Sequence, residues 1–283
     1  MREGFQPPAE YSKQGNRGQT SEGLRKSSER ILKLLSKDFK VEGQENLQEI
    51  REIRQQQPDS KFVITSSHIS NLDAPAAVKV FGEDLDMQIA VSSRHFGITP
   101  QELMYRAIGK ENFTAVQNRK SKSGETGVFN PDNFTELAQQ MEQGKTPWIA
   151  AHPFTKSEEM QKVKIGAVYL AQKTKSYLIP AALELRGGGS ISMEGPIEIL
   201  KGALKKPEAI YHIGKPVKLE PVDVSIIDTV LSKRREGEKV TPQESEQFSA
   251  TIQILRDQAA HIEQTIAQML PESMRRKPKE KAE

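Results

Sequence analysis

The chain has 283 residues, 35% of them hydrophobic and 28% charged, with a net charge of +3. That length suits one large α/β domain or two small ones, and so small a net charge with no interleaved aromatics near a basic run gives no argument for a dedicated nucleic-acid binder. There is no cysteine, which excludes disulfides, thiolate catalysis and cysteine-ligated zinc, and permits a reducing, cytoplasmic setting.

Residues 1–20 are rich in Gly, Gln, Pro and Ser and read as a disordered tail. The stretch from Met1 to Gly23 lacks the apolar segment of a secretory signal. No apolar run approaches the roughly 20 residues that span a bilayer, so lipid would be met from the membrane surface or as a soluble substrate. A first helix is predicted from Ser21 to Phe39. Its apolar positions Leu24, Ile31, Leu32, Leu34, Leu35 and Phe39 alternate with Arg25, Lys26, Arg30, Lys33 and Lys37. Two roles stand open for it: docking on the core, or lying on an anionic membrane as a peripheral contact.

Gly43 marks a turn and Asn46 to Gln57 a short polar helix. Lys61 to Thr65 is a strand, and a helix follows from Asn71 to Val80. Met87 to Ser92 is a second strand, Pro100 to Ile108 a helix, and Phe113 to Val116 a short strand. Lys120 to Asn130 is a charged loop. Pro131 to Gln143 is a helix stopped by Gly144. Strands are predicted at Pro147 to Ala151 and at Tyr177 to Leu185, with a helix from Lys164 to Lys173 between them. After a Gly187–Gly189 turn, Ser190 to Met193 and Ile197 to Leu200 look extended, as do Ala209 to Ile213 and Val217 to Leu219. Strands thus alternate with helices up to about residue 185 and then come in succession. That order predicts an α/β fold: a mostly parallel sheet flanked by helices, with an antiparallel extension.

A charged hinge, Lys233 to Lys239, separates residues 21–232 from a long helix, Pro242 to Leu270. Thr241 is its N-cap, Pro242 takes the first position and Glu244 completes a capping box. Phe248, Ile252, Leu255, Ala259, Ile262, Ile266 and Met269 form a stripe expected to face the core. Residues 272–283 read as a charged, disordered tail.

Two strand ends carry the chemistry. The first is Phe62-Val-Ile-Thr-Ser-Ser-His68-Ile-Ser70-Asn-Leu-Asp73. A strand delivers a histidine into a small polar turn, and an aspartate follows at the start of the next helix. A neutral imidazole there can take a proton from an alcohol, while a carboxylate on its other nitrogen fixes the tautomer. The same residues can also be a satisfied histidine beside a helix-capping aspartate. The second strand end is Trp148-Ile-Ala-Ala-His152-Pro-Phe-Thr155-Lys156-Ser157, whose hydroxyls and cation suit a phosphate. Asn118-Arg119-Lys120 stands between them.

In this order the blocks resemble the glycerolipid acyltransferases typified by 1-acylglycerol-3-phosphate acyltransferase. Ser67-His68-Ile-Ser70-Asn-Leu-Asp73 is similar to that family's Asn-His-x-Ser-x-x-Asp (HxxxxD) motif. Phe113-Thr-Ala-Val-Gln-Asn-Arg119 resembles its second motif, and Ala151 to Ser157 its third. Val163-Lys164-Ile-Gly166, Ile179-Pro180 and Ile213-Gly214-Lys-Pro216 match later blocks, and Val41-Glu-Gly43 matches the lead-in. The third motif departs: Pro153 and Phe154 stand where the family has Glu and Gly, and Lys156 where it has Arg. Lysine binds phosphate as a point charge and lacks the bidentate fork.

The resemblance implies an acyltransferase domain over residues 21–232 that uses acyl-CoA or acyl carrier protein as co-substrate and no cofactor. The acceptor would be glycerol 3-phosphate or a lysophospholipid, as in phospholipid synthesis. It implies His68 as base and Asp73 as its orienter, with Ser70, Arg119, His152, Thr155, Lys156 and Ser157 binding substrate. The altered third motif leaves one rival on the same fold, a lipid-binding or scaffold protein that no longer catalyses.

Overall fold

The computed structural model of the protein describes residues 19–93, 109–116, 129–154, 159–187, 191 and 196–276. The helix expected at Pro100 to Ile108 and most of the Lys120–Asn130 loop lie outside these residues. So do the two terminal tails, apart from 19–20 and 272–276.

Eight strands form one sheet: β1 (Asp38–Glu42), β2 (Phe62–Ser66), β3 (Asp86–Ser92), β4 (Phe113–Val116), β5 (Lys145–Ala150), β6 (Tyr177–Arg186), β7 (Glu208–Ile213) and β8 (Val217–Lys218). Their order across the sheet is β1-β7-β6-β2-β5-β3-β4, with β8 also on β6. From β6 to β4 every neighbouring pair is parallel. β7 and β8 lie antiparallel to β6, and β1 pairs parallel to β7. This is the predicted α/β architecture, a mostly parallel sheet with an antiparallel extension.

Helices cover both faces. One layer holds α1 (Glu22–Leu35), α2 (Gln44–Gln56) and α3 (Asp73–Phe81). The other holds α4 (Thr135–Glu142), α5 (Gly166–Thr174), α7 (Ser225–Glu236) and α8 (Pro242–Met269), and α6 (Pro196–Lys205) packs beside α1. The alternation of strand side chains splits the core accordingly. Phe62 and Ile64 join Trp148, Leu183 and Tyr211 beneath α1–α3. Val63, Leu178 and Ala182 meet α4, α5 and α8 on the far side. Strands buried on both faces lose the polar alternation, which is why all five residues of β2 are buried.

Three elements differ from the sequence expectation. The first helix stops at Leu35, because the Ser36 hydroxyl donates back to the Leu32 carbonyl at 2.6 Å and the chain turns extended. Phe39 and Val41 therefore belong to β1, their side chains packed on the core beneath α1–α3. The segment around Ile197 to Leu200 is helical, not extended. Pro196 occupies the first helical position, and Gly202 faces Leu35 and Ile191. The first part of the expected hinge, Lys233 to Glu236, is the last turn of α7.

The long C-terminal helix forms as expected. The Thr241 hydroxyl accepts from the Glu244 N–H and the Glu244 carboxylate accepts from the Thr241 N–H. Leu255, Ala259, Ile262 and Ile266 are buried against the sheet, which settles the stripe as core-facing. Among the described residues, no helix is long and apolar enough to cross a membrane.

Candidate active site

In an open α/β sheet, ligands collect at the carboxyl ends of adjacent parallel strands whose connections leave on opposite faces. β2 and β5 are such a pair. The chain leaves β2 through α3 on one face and leaves β5 through α5 on the other. The Ala151 N–H donates to the Ser66 carbonyl at 2.8 Å, so the two strand ends emerge side by side. The His68 and His152 segments, 84 residues apart, are thereby neighbours.

The turn after β2 is bonded to itself. The Asp73 carboxylate, at the first helical position of α3, accepts through Oδ2 from the Ser70 N–H at 2.8 Å and approaches His68 Nδ1 at 3.1 Å. Asp73 is fully buried, whereas the His68 side chain keeps 22% of its surface exposed. A carboxylate only accepts, so Nδ1 carries the proton and Nε2 is left as the basic nitrogen. Burial raises the Asp73 pKa above the ordinary aspartate value. His68 and the Ser70 and Ile69 N–H groups oppose that rise. The rings of Phe154 and Trp148 meet the imidazole edge-on, with centroids at 5.2 Å and 6.0 Å.

Two residues expected to bind substrate are committed elsewhere. The Ser70 hydroxyl is buried; it accepts from the Leu72 N–H at 3.1 Å and donates to the Ile191 carbonyl at 3.3 Å. It caps the turn. His152 is 1% exposed. Its Nδ1–H donates to the Pro153 carbonyl at 3.0 Å, and its Nε2 accepts the His68 backbone N–H at 3.2 Å. With both nitrogens engaged, His152 holds the backbone of His68. Burial, helped by the nearby His68, lowers its pKa from 6.5 to about 4 against the opposing Pro153 carbonyl. It is a neutral imidazole at pH 7. The other expected substrate-binding residues, Arg119, Thr155, Lys156 and Ser157, lie outside the described residues.

Nothing in the sequence marks the part played by His152, nor Tyr211, which lies beneath the pair from β7 far along the chain. Histidine types and spacings carry no mark of which nitrogen is engaged, and only the sheet brings β7 near α3. The arrangement can abstract a proton: one basic nitrogen, a fixed tautomer and a buried carboxylate behind it.

No protein-family model matches this chain, and no curated protein sequence matches it. Among solved structures the chain is similar to the crystal structure of the 1-acyl-sn-glycerophosphate (LPA) acyltransferase PlsC from Thermotoga maritima. The TM-score is 0.45 at 15% sequence identity, covering 84% of this chain and 78% of that one.

Proposed function

We propose that this protein is an O-acyltransferase that moves a fatty acyl group from acyl-CoA or acyl carrier protein to a hydroxyl of glycerol 3-phosphate or lysophosphatidic acid. The observation that carries the reading is the His68–Asp73 contact of 3.1 Å at the joined ends of β2 and β5, with Asp73 buried and His68 partly open. The resemblance of the ordered motifs supports the substrate class.

In this mechanism His68 Nε2 takes the acceptor hydroxyl proton as the oxygen attacks the thioester carbonyl. The new C–O bond forms, the C–S bond breaks, and the thiolate leaves with the proton that His68 returns. Asp73 keeps the imidazole in the reacting tautomer and offsets its charge while protonated. Arg119 and Lys156 would hold an acceptor phosphate, with Thr155 and Ser157 as supporting donors, and the protein would act in the cytoplasm or at a membrane surface.

One observation favours the second reading, a lipid-binding or scaffold protein. Phe154, standing where the acyltransferase motif has glycine, places its ring against His68.

The test is an acceptor screen with radiolabelled acyl-CoA and acyl carrier protein, wild type beside His68→Ala at matched folded protein. General-base loss should cut transfer by about 10²–10⁴-fold. Undiminished transfer by His68→Ala would discard the mechanism, and no transfer by wild type to any acceptor would favour the scaffold.

A further inference from the structure

Behind the His68–Asp73 pair lies a group of polar atoms that the mechanism above does not use. Ser66, at the end of β2, shares a sheet face with Phe62 and Ile64. Trp148 on β5 is in register with Ile64, and Tyr211 on β7 is in register with Leu183 on β6. Both large side chains therefore sit on the face covered by α3, one on each side of Ser66. Phe81 of α3 packs edge-on against Tyr211 at 6.2 Å.

Asp73 Oδ1, Trp148 Nε1 and the Tyr211 hydroxyl are all buried and have no hydrogen-bond partner among the described residues. The Tyr211 hydroxyl is nevertheless within reach of the Ser66 and Trp148 side chains, short of full hydrogen-bond geometry with either, and in the field of the Asp73 carboxylate. Burial raises its pKa well above that of a free phenol, so it remains a donor. Leaving a buried polar atom unsatisfied costs about 1–3 kcal/mol, so three in one place call for a common partner. Their chemistry is complementary. The indole N–H only donates, the carboxylate oxygen only accepts, and the hydroxyls of Tyr211 and Ser66 can do either. A water with two to four such partners is an ordinary part of a protein interior.

We propose that Tyr211 and Trp148 are positioning residues for Asp73, tied to its Oδ1 by one water sealed beneath the first turn of α3. The indole N–H and the phenol O–H donate to that water, which donates to Asp73 Oδ1 and Ser66 Oγ. The tie stops rotation of the carboxylate, so that Oδ2 stays on both the Ser70 N–H and His68 Nδ1. The catalytic part of this inference rests on the acyltransferase reading; the structural part does not.

The experiment uses Tyr211→Phe, which keeps the ring and removes one oxygen, and Trp148→Phe, which removes the indole N–H. Imidazole ¹⁵N chemical shifts of His68 are recorded with kcat and KM for acyl transfer. We expect wild-type His68 to be in the Nδ1–H tautomer and each variant to show a tautomer mixture, with the His68 Nδ1 proton signal moved or broadened. We expect kcat to fall about tenfold at unchanged KM, the effect of loosening a group behind a reacting one. Crystals of the wild type should show one water within hydrogen-bonding distance of Asp73 Oδ1, Tyr211 Oη and Trp148 Nε1. An unchanged His68 tautomer in both folded variants, or direct contacts with no water between, overturns the proposal. If the spectra shift as expected while the wild type transfers no acyl group, the acyltransferase reading fails and this support stands.

Discussion

His152 offers a sharp test because its burial has a thermodynamic signature. The perturbation is His152→Gln. The glutamine carbonyl can still accept the His68 N–H, but the side chain cannot titrate. The folded-state pKa is about 4 against 6.5 for a free histidine, so between these values the unfolded chain binds a proton that the folded chain does not. Lowering the pH therefore favours unfolding. The stabilising share of neutral His152 is complete above pH 6.5 and is lost as pH falls from 6.5 toward 4. A difference of roughly 2.5 pH units at 1.36 kcal/mol each makes about 3 kcal/mol in full, most of it gone by pH 4.5. The assay is urea unfolding of both proteins from pH 7.5 to 4.5. At pH 7.5 the variant should be weaker by about 1 kcal/mol, for the lost bond to the Pro153 carbonyl. By pH 4.5 the order should have reversed, other titrating groups cancelling in the difference. Curves that stay parallel across this range would refute the burial and bonding assigned to His152.

Two further outcomes follow from the same geometry. Because burial disfavours the ionised Asp73, Asp73→Asn should melt at or above the wild-type temperature while acyl transfer falls by about 10²-fold or more, since an amide can donate to Nδ1 and reverse the tautomer; paired melting and kinetic measurements check this, and a destabilised variant with normal kcat would contradict it. A Cβ at Gly214 would lie 2.8 Å from Pro180 Cγ and 2.9 Å from the Pro180 carbonyl oxygen, so Gly214→Ala should cost about 1–3 kcal/mol in urea unfolding, and a neutral effect would show that β6 and the β7–β8 connection can part.

The elements legible in the sequence were those whose signals are local. The capping box at Thr241 and Glu244 and the 3.6-residue stripe from Phe248 to Met269 define α8 without reference to the rest of the chain. The run Lys61 to Thr65 predicts β2, observed at Phe62–Ser66, and the small polar turn places His68 and Asp73 at a strand-to-helix junction. Asp38–Glu42 is hidden in the sequence because Phe39, four residues after Leu35, continues the helical apolar spacing, whereas the chain leaves the helix where Ser36 bonds back to Leu32. Ile197 to Leu200 looks extended in the sequence, although Pro196–Lys205 is a helix, because a short apolar run fits strand and helix alike.

What the sequence alone determined, then, was the α/β class and the one spacing that needs no tertiary contact: a histidine and an aspartate five residues apart across a turn. Which atoms that pair meets depends on packing across the sheet. Sheet order brings β5 against β2 and so sets His152 Nε2 on the His68 backbone N–H. The register of β6 with β7 brings Tyr211 beneath Asp73 from far along the chain. Hydrogen bonds and burial depend on neighbours across the sheet, and no spacing along the chain encodes those neighbours.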